Sequence, residues 1–160
     1  MLNAAEITAL PSGNGHHFVI VASRYNTRLV DGMLEAAVAT LREAGAPAPE
    51  IARVPGAWEI PVVAAIVARR PLAVPSAIIC LGLILQGETS HAQHIGDAVS
   101  SALMRISVKT GVPVIHEVLT VDTEAQAEAR CLEPRANRGA EAARTALEMA
   151  HLIAKISARS

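Results

Sequence analysis

Residues 76–99, SAIICLGLILQGETSHAQHIGDAV, decide how this chain folds. They open with Ala77-Ile78-Ile79-Cys80-Leu81, an apolar run bounded by Ser76 and Gly82. Such a run suits a strand buried on both faces, as in a parallel sheet. Polarity then switches at Gln86-Gly87-Glu88-Thr89-Ser90-His91, and from Ala92 the pattern is helical. A strand that passes through a glycine turn into a helix N-terminus leaves backbone N–H groups unpaired, and the helix dipole there favours an anion. In open α/β sheets, ligands bind beyond the carboxyl ends of the strands. His91, in the first helical turn, brings an imidazole able to act as acid or base near neutral pH. Taken alone, the stretch is better served by the plain reading, with Thr89 or Ser90 as an N-cap and His91 as a surface residue, because a lone histidine after a strand is structural more often than catalytic.

The segments on either side repeat the strand-to-helix pattern. Residues 17–23, HFVIVAS, read as a first strand with Arg24-Tyr25-Asn26 at its carboxyl end. Thr27 is the expected cap of a helix over about 28–44, where Leu29, Val30, Met33, Leu34, Ala37, Val38 and Leu41 keep a 3.6-residue period. Gly45-Ala46-Pro47 ends it. Residues 49–54 read as a second strand. Pro55-Gly56-Ala57 then turns the chain into a helix over 58–69, with Pro61 tolerated early in it. Beyond the central stretch, a helix over about 90–109 stops at Gly111, and residues 112–119, VPVIHEVL, form the fourth strand. Asp122 or Thr123 caps a short helix ending near Arg130, residues 131–138 are looser, and Gly139 opens a long terminal helix. Residues 1–15 read as a loose arm, or as an edge strand lent to a neighbouring subunit. The order βαβαβαβ followed by two helices predicts a parallel four-stranded sheet with helices on both faces, an αβα sandwich of flavodoxin-like type.

Composition narrows the function. At 160 residues one domain spanning 1–160 is expected. The chain is 51% hydrophobic but only 2% aromatic, so Phe18, Tyr25 and Trp58 each stand out against an aliphatic core. A net charge of −1 with interspersed signs gives no basic stripe, and stacking platforms are few, so no nucleic-acid partner is expected. No apolar run approaches the length of a membrane span, and no signal peptide is visible. Cys80 and Cys131 have no metal or redox spacing and read as reduced thiols, which points to the cytoplasm. Neither GxGxxG nor GxxxxGK[ST] occurs, so nucleotide binding has no motif behind it. Tyr25 reads as a stacking platform for a flat ligand or as a half-buried loop aromatic. His116, inside a strand, reads as a satisfied core or interface histidine or as a pocket wall.

Taken together the motifs resemble lumazine synthase, a family of riboflavin biosynthesis. The resemblance rests on Arg24-Tyr25-Asn26, Val54-Pro55-Gly56-Ala57-Trp58-Glu59-Ile60-Pro61, Gly87-Glu88-Thr89-Ser90-His91, Gly111-Val112-Pro113-Val114 with Leu119-Thr120, and Arg130 with Asn137-Arg138-Gly139. It covers nearly the whole chain, from about Phe18 to Ile156. It implies a condensation without cofactor or metal, joining 5-amino-6-(D-ribitylamino)uracil to 3,4-dihydroxy-2-butanone 4-phosphate. By this resemblance Tyr25 would stack on the pyrimidine, and Asn26 would also bind the ribitylaminouracil. Ala57, Trp58 and Glu59 would hold the uracil edge and the ribityl chain. The backbone of Leu83, Ile84 and Leu85 would line the ring site, with His116 packing on substrate and Arg138 touching the uracil carbonyls. Gly87, Glu88 and Thr89 would bind phosphate through N–H groups with Arg130 as partner, and His91 would shuttle protons. The family also implies a homo-oligomer, a pentamer or twelve pentamers closed into a shell. Its sites lie between subunits, so Arg130 and His116 would come from the neighbour of the subunit giving His91. A mean hydropathy of +0.34 agrees with large buried interfaces.

Departures from the family pattern surround His91. Gln86 stands where Arg or Lys is common, Ala92 and His94 replace aromatics, and His116 stands where Phe is frequent. Three rival readings accompany the resemblance. One is a shell-forming or lumazine-binding relative without turnover. Another is a metal site from Glu88, His91, His94 and His116, weakened because i and i+6 point apart on a helix. The last is a generic flavodoxin-like binding domain, whose Ser/Thr/Gly phosphate loop is not visible.

Overall fold

The computed structural model describes residues 9–159. Its elements run β1 (Phe18–Ser23), α1 (Thr27–Glu43), β2 (Glu50–Val54), a 3₁₀ turn (Ala57–Glu59), α2 (Ile60–Ala68), β3 (Ala77–Leu85), α3 (His91–Thr110), β4 (Val114–Val121), α4 (Glu124–Cys131) and α5 (Arg138–Ser157). The four strands pair in the order β2-β1-β3-β4, all parallel. The expected flavodoxin-like αβα sandwich is therefore the observed one. β1 and β3 are buried along almost their whole length, as their unbroken apolar runs require.

Alternate strand residues feed two cores. Phe18, Ile20, Ile79 and Leu81 face α1, α4 and α5, meeting Met33, Leu41, Ala127, Cys131 and Leu147. Val19, Val21, Ile78 and Cys80 face α2 and α3, meeting Ile60, Ala64, Val99 and Leu103. The helix after β1 thus covers one face and the helix after β3 the other. Their opening turns diverge above neighbouring strands, and that crevice is where open α/β sheets bind ligands.

Several boundaries differ from the sequence expectation. α1 is capped by Asn26, not Thr27. Asn26 takes a left-handed conformation (φ 59°), and the Thr27 hydroxyl bonds back to the Arg24 carbonyl at 2.5 Å. The expected 58–69 helix divides into the 3₁₀ turn and α2, because Pro61 lacks an N–H and fits only the first helical turn. β3 runs on through Leu85 and β4 through Val121, since the two strands stay paired to Leu85↔Val121. Gly111 does stop α3, in a left-handed conformation (φ 74°), and Thr123 does cap α4, accepting from Gln126 N–H at 3.2 Å. α5 begins one residue early, on Asn137, whose side chain accepts from Gly139 and Ala140 N–H. Much of the expected arm or edge strand over 1–15 lies outside the described residues. From Leu10 onward the chain rests on the α1/α5 core, and the Gly13 N–H bonds the Ala44 carbonyl at 2.7 Å.

Both thiols are fully buried and free. Burial pushes the Cys80 thiol far above its usual range and the Cys131 thiol up to about 11. The native protein is therefore expected to give no reaction with Ellman's reagent at pH 8, and two thiols per chain in denaturant. A thiol that reacts rapidly in the native state would mean that β3 or α4 opens.

Candidate active site

Three turns at the carboxyl ends of the strands build the site. The turn after β1 is tied to the turn after β2: Arg24 N–H reaches the Val54 carbonyl at 2.8 Å, and Tyr25 N–H the Pro55 carbonyl at 3.0 Å. It is tied to β3 by the Asn26 side-chain amide, which donates to the Leu83 carbonyl at 3.1 Å. Tyr25 is pinned at its backbone while its ring stays open, 68% exposed. That ring lies against Gly56. A Cβ at Gly56 would come within 2.7 Å of it, so glycine lets the ring lie this close, and any side chain there would push it aside. One carboxylate oxygen of Glu59 accepts the Gly56 N–H at 2.9 Å, which orients the acid and leaves its other oxygen for a ligand. Trp58, next along, is 60% exposed. The chain therefore leaves two of its three aromatic rings open, both at this end of the sheet, while Phe18 is in the core.

The turn after β3 carries the polar chemistry. Gln86 continues the sheet through its N–H to the Val121 carbonyl at 2.8 Å, and its side-chain amide braces the turn on the Thr89 carbonyl at 3.1 Å. Among the described residues, the N–H groups of Gly87, Glu88 and Thr89 donate no hydrogen bond, and all three residues are exposed. They stand at the positive end of the 20-residue α3. His91 is the first residue of that helix, and Ser90 caps it without a side-chain bond. A cavity of about 430 Å³ is lined by Trp58, His91, His94 and Ile95. One chain therefore sets an imidazole pair and an indole on one cavity, with three free amides on the turn leading to His91, Glu59 beside Trp58 in the 3₁₀ turn and the Tyr25 ring on the turn after β1. That arrangement can hold a flat ring, accept hydroxyls, bind an anion and move protons. Glu88, His91, His94 and His116 do not converge: among the described residues no three His, Cys, Asp or Glu side chains are placed to share a metal ion.

Other expected residues lie elsewhere. Leu83 and Ile84 have buried side chains, and the Leu83 carbonyl is taken by Asn26; Leu85 is exposed. Ala57 is buried beneath the turn. His116 is level with Cys80, several residues short of the strand end, and its Nε2 bonds the Ser100 hydroxyl at 2.8 Å. Arg130 is exposed on α4, whose Ala127 and Cys131 pack in the α1/α5 core, whereas Ala92 beside His91 packs in the α2/α3 core. The sheet separates them, so a single chain does not bring Arg130 to His91. Arg138 is likewise on the α1/α5 side, forked onto Glu117 and bonded to Glu141.

Two charged residues escaped the sequence reading. Arg53 pairs with Asp31 at 2.5 Å and donates to the Ser23 carbonyl at 3.1 Å, bracing the end of β1 directly below Arg24 and Tyr25. Glu117 is buried within β4. The signal in both cases was a charge inside an apolar strand pattern, which asks for a partner that only the fold can supply.

Comparison with known proteins agrees with this geometry. The family model described as 6,7-dimethyl-8-ribityllumazine synthase matches residues 15–154. A Xylella fastidiosa protein named 6,7-dimethyl-8-ribityllumazine synthase is 42% identical over 144 residues, covering 89% of this chain and 92% of its own. Proteins of the same name from Xanthomonas campestris pv. campestris and Xanthomonas oryzae pv. oryzae are each 41% identical over 138 residues, covering 85% of this chain and 88% of theirs. With a match of this extent, and the exposed rings, free amides and helix-initial histidine standing at the motifs that suggested it, the chain belongs to the 6,7-dimethyl-8-ribityllumazine synthase family.

Proposed function

We propose that this chain condenses 5-amino-6-(D-ribitylamino)uracil with 3,4-dihydroxy-2-butanone 4-phosphate, forming 6,7-dimethyl-8-ribityllumazine and releasing phosphate and water. The observation that carries the reading is the set of unpaired amides at Gly87, Glu88 and Thr89 ahead of His91, at the same end of the sheet as the exposed Trp58 and Tyr25 rings. The uracil stacks on Tyr25, its ribityl hydroxyls donate to the free Glu59 oxygen, and the backbone of Leu83 to Leu85 borders the ring. The butanone phosphate rests on the three amides. The 5-amino group attacks the ketone, and loss of water gives an imine. His91 takes a proton from the adjacent carbon, and phosphate leaves, its charge held by the amides and Arg130. The enol so formed takes a proton at its terminal carbon and becomes a ketone, which the ribityl-bearing nitrogen attacks to close the ring with loss of a second water. Every step is redox-neutral, so the reaction calls for no cofactor. Much of the rate comes from holding two substrates in register.

The reading includes a site shared between copies. The separation of Arg130 from His91 by the sheet supports this, because one chain leaves the anion site without its guanidinium. Val62, Ile66, Met104 and Val108 stay exposed on α2 and α3, an apolar strip suited to burial against a second copy. A homopentamer, or a shell of pentamers, follows from the family, with Arg130 and His116 given by the neighbour. The same reading takes residues 1–160 as one domain working in the cytoplasm; among the described residues no helix is long and apolar enough to cross a membrane.

The test is direct. Purified protein with both substrates should form lumazine, followed by absorbance, well above the unaided reaction. If it binds the ribitylaminouracil yet gives no acceleration, it is a binding or shell-forming relative instead. Arg130→Ala should raise KM for the phosphorylated substrate by roughly 10- to 100-fold, the worth of a charge-assisted contact. Mixed assemblies of His91→Ala and Arg130→Ala chains should recover activity, since some interfaces then carry both intact residues. No recovery would place both residues in one chain's site.

A further inference from the structure

Among the described residues Glu117 is the one buried acid, 6% exposed on the β4 face that meets α1 and α5. Its two oxygens are gripped by Arg138 as a fork: Nε donates to Oε2 and Nη2 to Oε1, both at 3.1 Å. Arg138 Nη1 donates to Glu141 at 2.6 Å. The root of the arginine is also fixed. Arg138 is the first residue of α5, and its cap, Asn137, donates to the Cys131 and Gly32 carbonyls at 2.6 and 3.2 Å while accepting from Gly139 and Ala140.

Stability alone does not call for this arrangement. A buried ion pair is often matched or bettered by apolar residues of similar size. Burial raises the Glu117 carboxyl from its usual range, and nearby Glu141 adds to that, against the pull of Arg138 and Arg130. Arg138 also places a cation at a helix N-terminus, where the dipole disfavours it. What the arrangement does achieve is direction. A guanidinium has five N–H donors in a rigid plane, and three of Arg138's are used, so two remain on a head that is 34% exposed.

The geometry points to Glu117 as a positioning residue, which locks the Arg138 plane so that its two remaining N–H groups meet the carbonyl edge of the pyrimidinedione. This rests on the proposed reaction and on the family resemblance for Arg138 as a uracil contact, a contact made between copies because one chain holds Arg138 apart from His91 and Trp58. It makes the buried pair a specificity device for one substrate and leaves the phosphate site to other residues.

The experiment measures calorimetric binding of the ribitylaminouracil alone, steady-state kinetics and melting temperature for four proteins: parent, Arg138→Ala, Glu117→Gln and the double variant Glu117→Leu/Arg138→Leu. Arg138→Ala and Glu117→Gln should each weaken binding roughly tenfold and raise KM for the uracil alike. Turnover at saturation and KM for the butanone phosphate should change little. The double Leu variant should melt near the parent temperature yet bind as weakly as Arg138→Ala, which separates orientation from stability even if Glu117→Gln folds poorly. Weak binding in Arg138→Ala with parental binding in Glu117→Gln would overturn the positioning role and keep the Arg138 contact. Parental binding in Arg138→Ala or in the double Leu variant would overturn both. A parent protein that binds none of this ligand would remove the proposed reaction itself.

Discussion

His91→Ala is expected to lower turnover by about 10²–10⁴-fold, the usual worth of a general acid–base group. Binding of the ribitylaminouracil should stay within a few-fold of the parent, because the elements proposed to hold it sit on other turns. Tyr25 follows β1, Glu59 lies in the 3₁₀ turn, and neither bonds to His91. Folding should be untouched. His91 is exposed at the start of α3, where alanine is a good helix former, and exposed substitutions of this kind usually stay within about 0.5 kcal/mol. The residual rate would come from juxtaposing the substrates. Single-turnover absorbance with both substrates saturating separates the chemical step from binding. Unchanged turnover would shift the proton-transfer role to His94, the other imidazole lining the same cavity.

Gly139→Ala is expected to have the largest effect on stability. A Cβ there would stand 1.9 Å from the Met33 carbonyl oxygen, 2.5 Å from its carbon and 2.7 Å from Met33 Cα. These are backbone atoms of α1 and cannot rotate aside as a side chain would. The two helices would have to separate, and the contact between them holds Val30, Met33, Ala37, Ala142, Ala143 and Ala146, all fully buried. Overpacking typically costs about 1–3 kcal/mol, and a clash against backbone belongs at or above the top of that range. Against a total stability of about 5–15 kcal/mol, a loss of roughly 4 kcal/mol would lower the melting temperature by about ten degrees. A circular-dichroism melt measures it, with Gly87→Ala as the control. Nothing lies within 4 Å of a Cβ at Gly87 and its φ is not positive, so that variant should melt with the parent. Equal melting of the two variants would mean that α5 can slide on α1 without loss.

The parallel sheet could be read from residues 17–23 and 77–81 because a strand buried on both faces has to be apolar throughout, and that leaves an unbroken run. Gly111 as a stop and Thr123 as a cap were legible for an equally local reason: a left-handed residue and a side-chain cap act within a few positions. Asn26 escaped because its side chain does not cap the helix. It bonds the Leu83 carbonyl, 57 residues along the chain, and no local pattern records that partner. The same holds for where β3 and β4 end, since pairing of Leu85 with Val121 carries both strands past the limits their composition suggests. Glu117 drew no reading from the sequence, because its partner Arg138, 21 residues away, is set against it only by folding.

The site divides along the same line. Residue types and spacing around 54–61 and 86–91 were enough to nominate the turns, since turn chemistry is local. Arg130 and His91 belong to one motif set in the linear chain, yet they fall on opposite sides of the sheet. Which side an element takes depends on the face its apolar stripe finds to bury and on the hand of each crossover. Those are properties of the packed molecule, settled by contacts among all the elements at once.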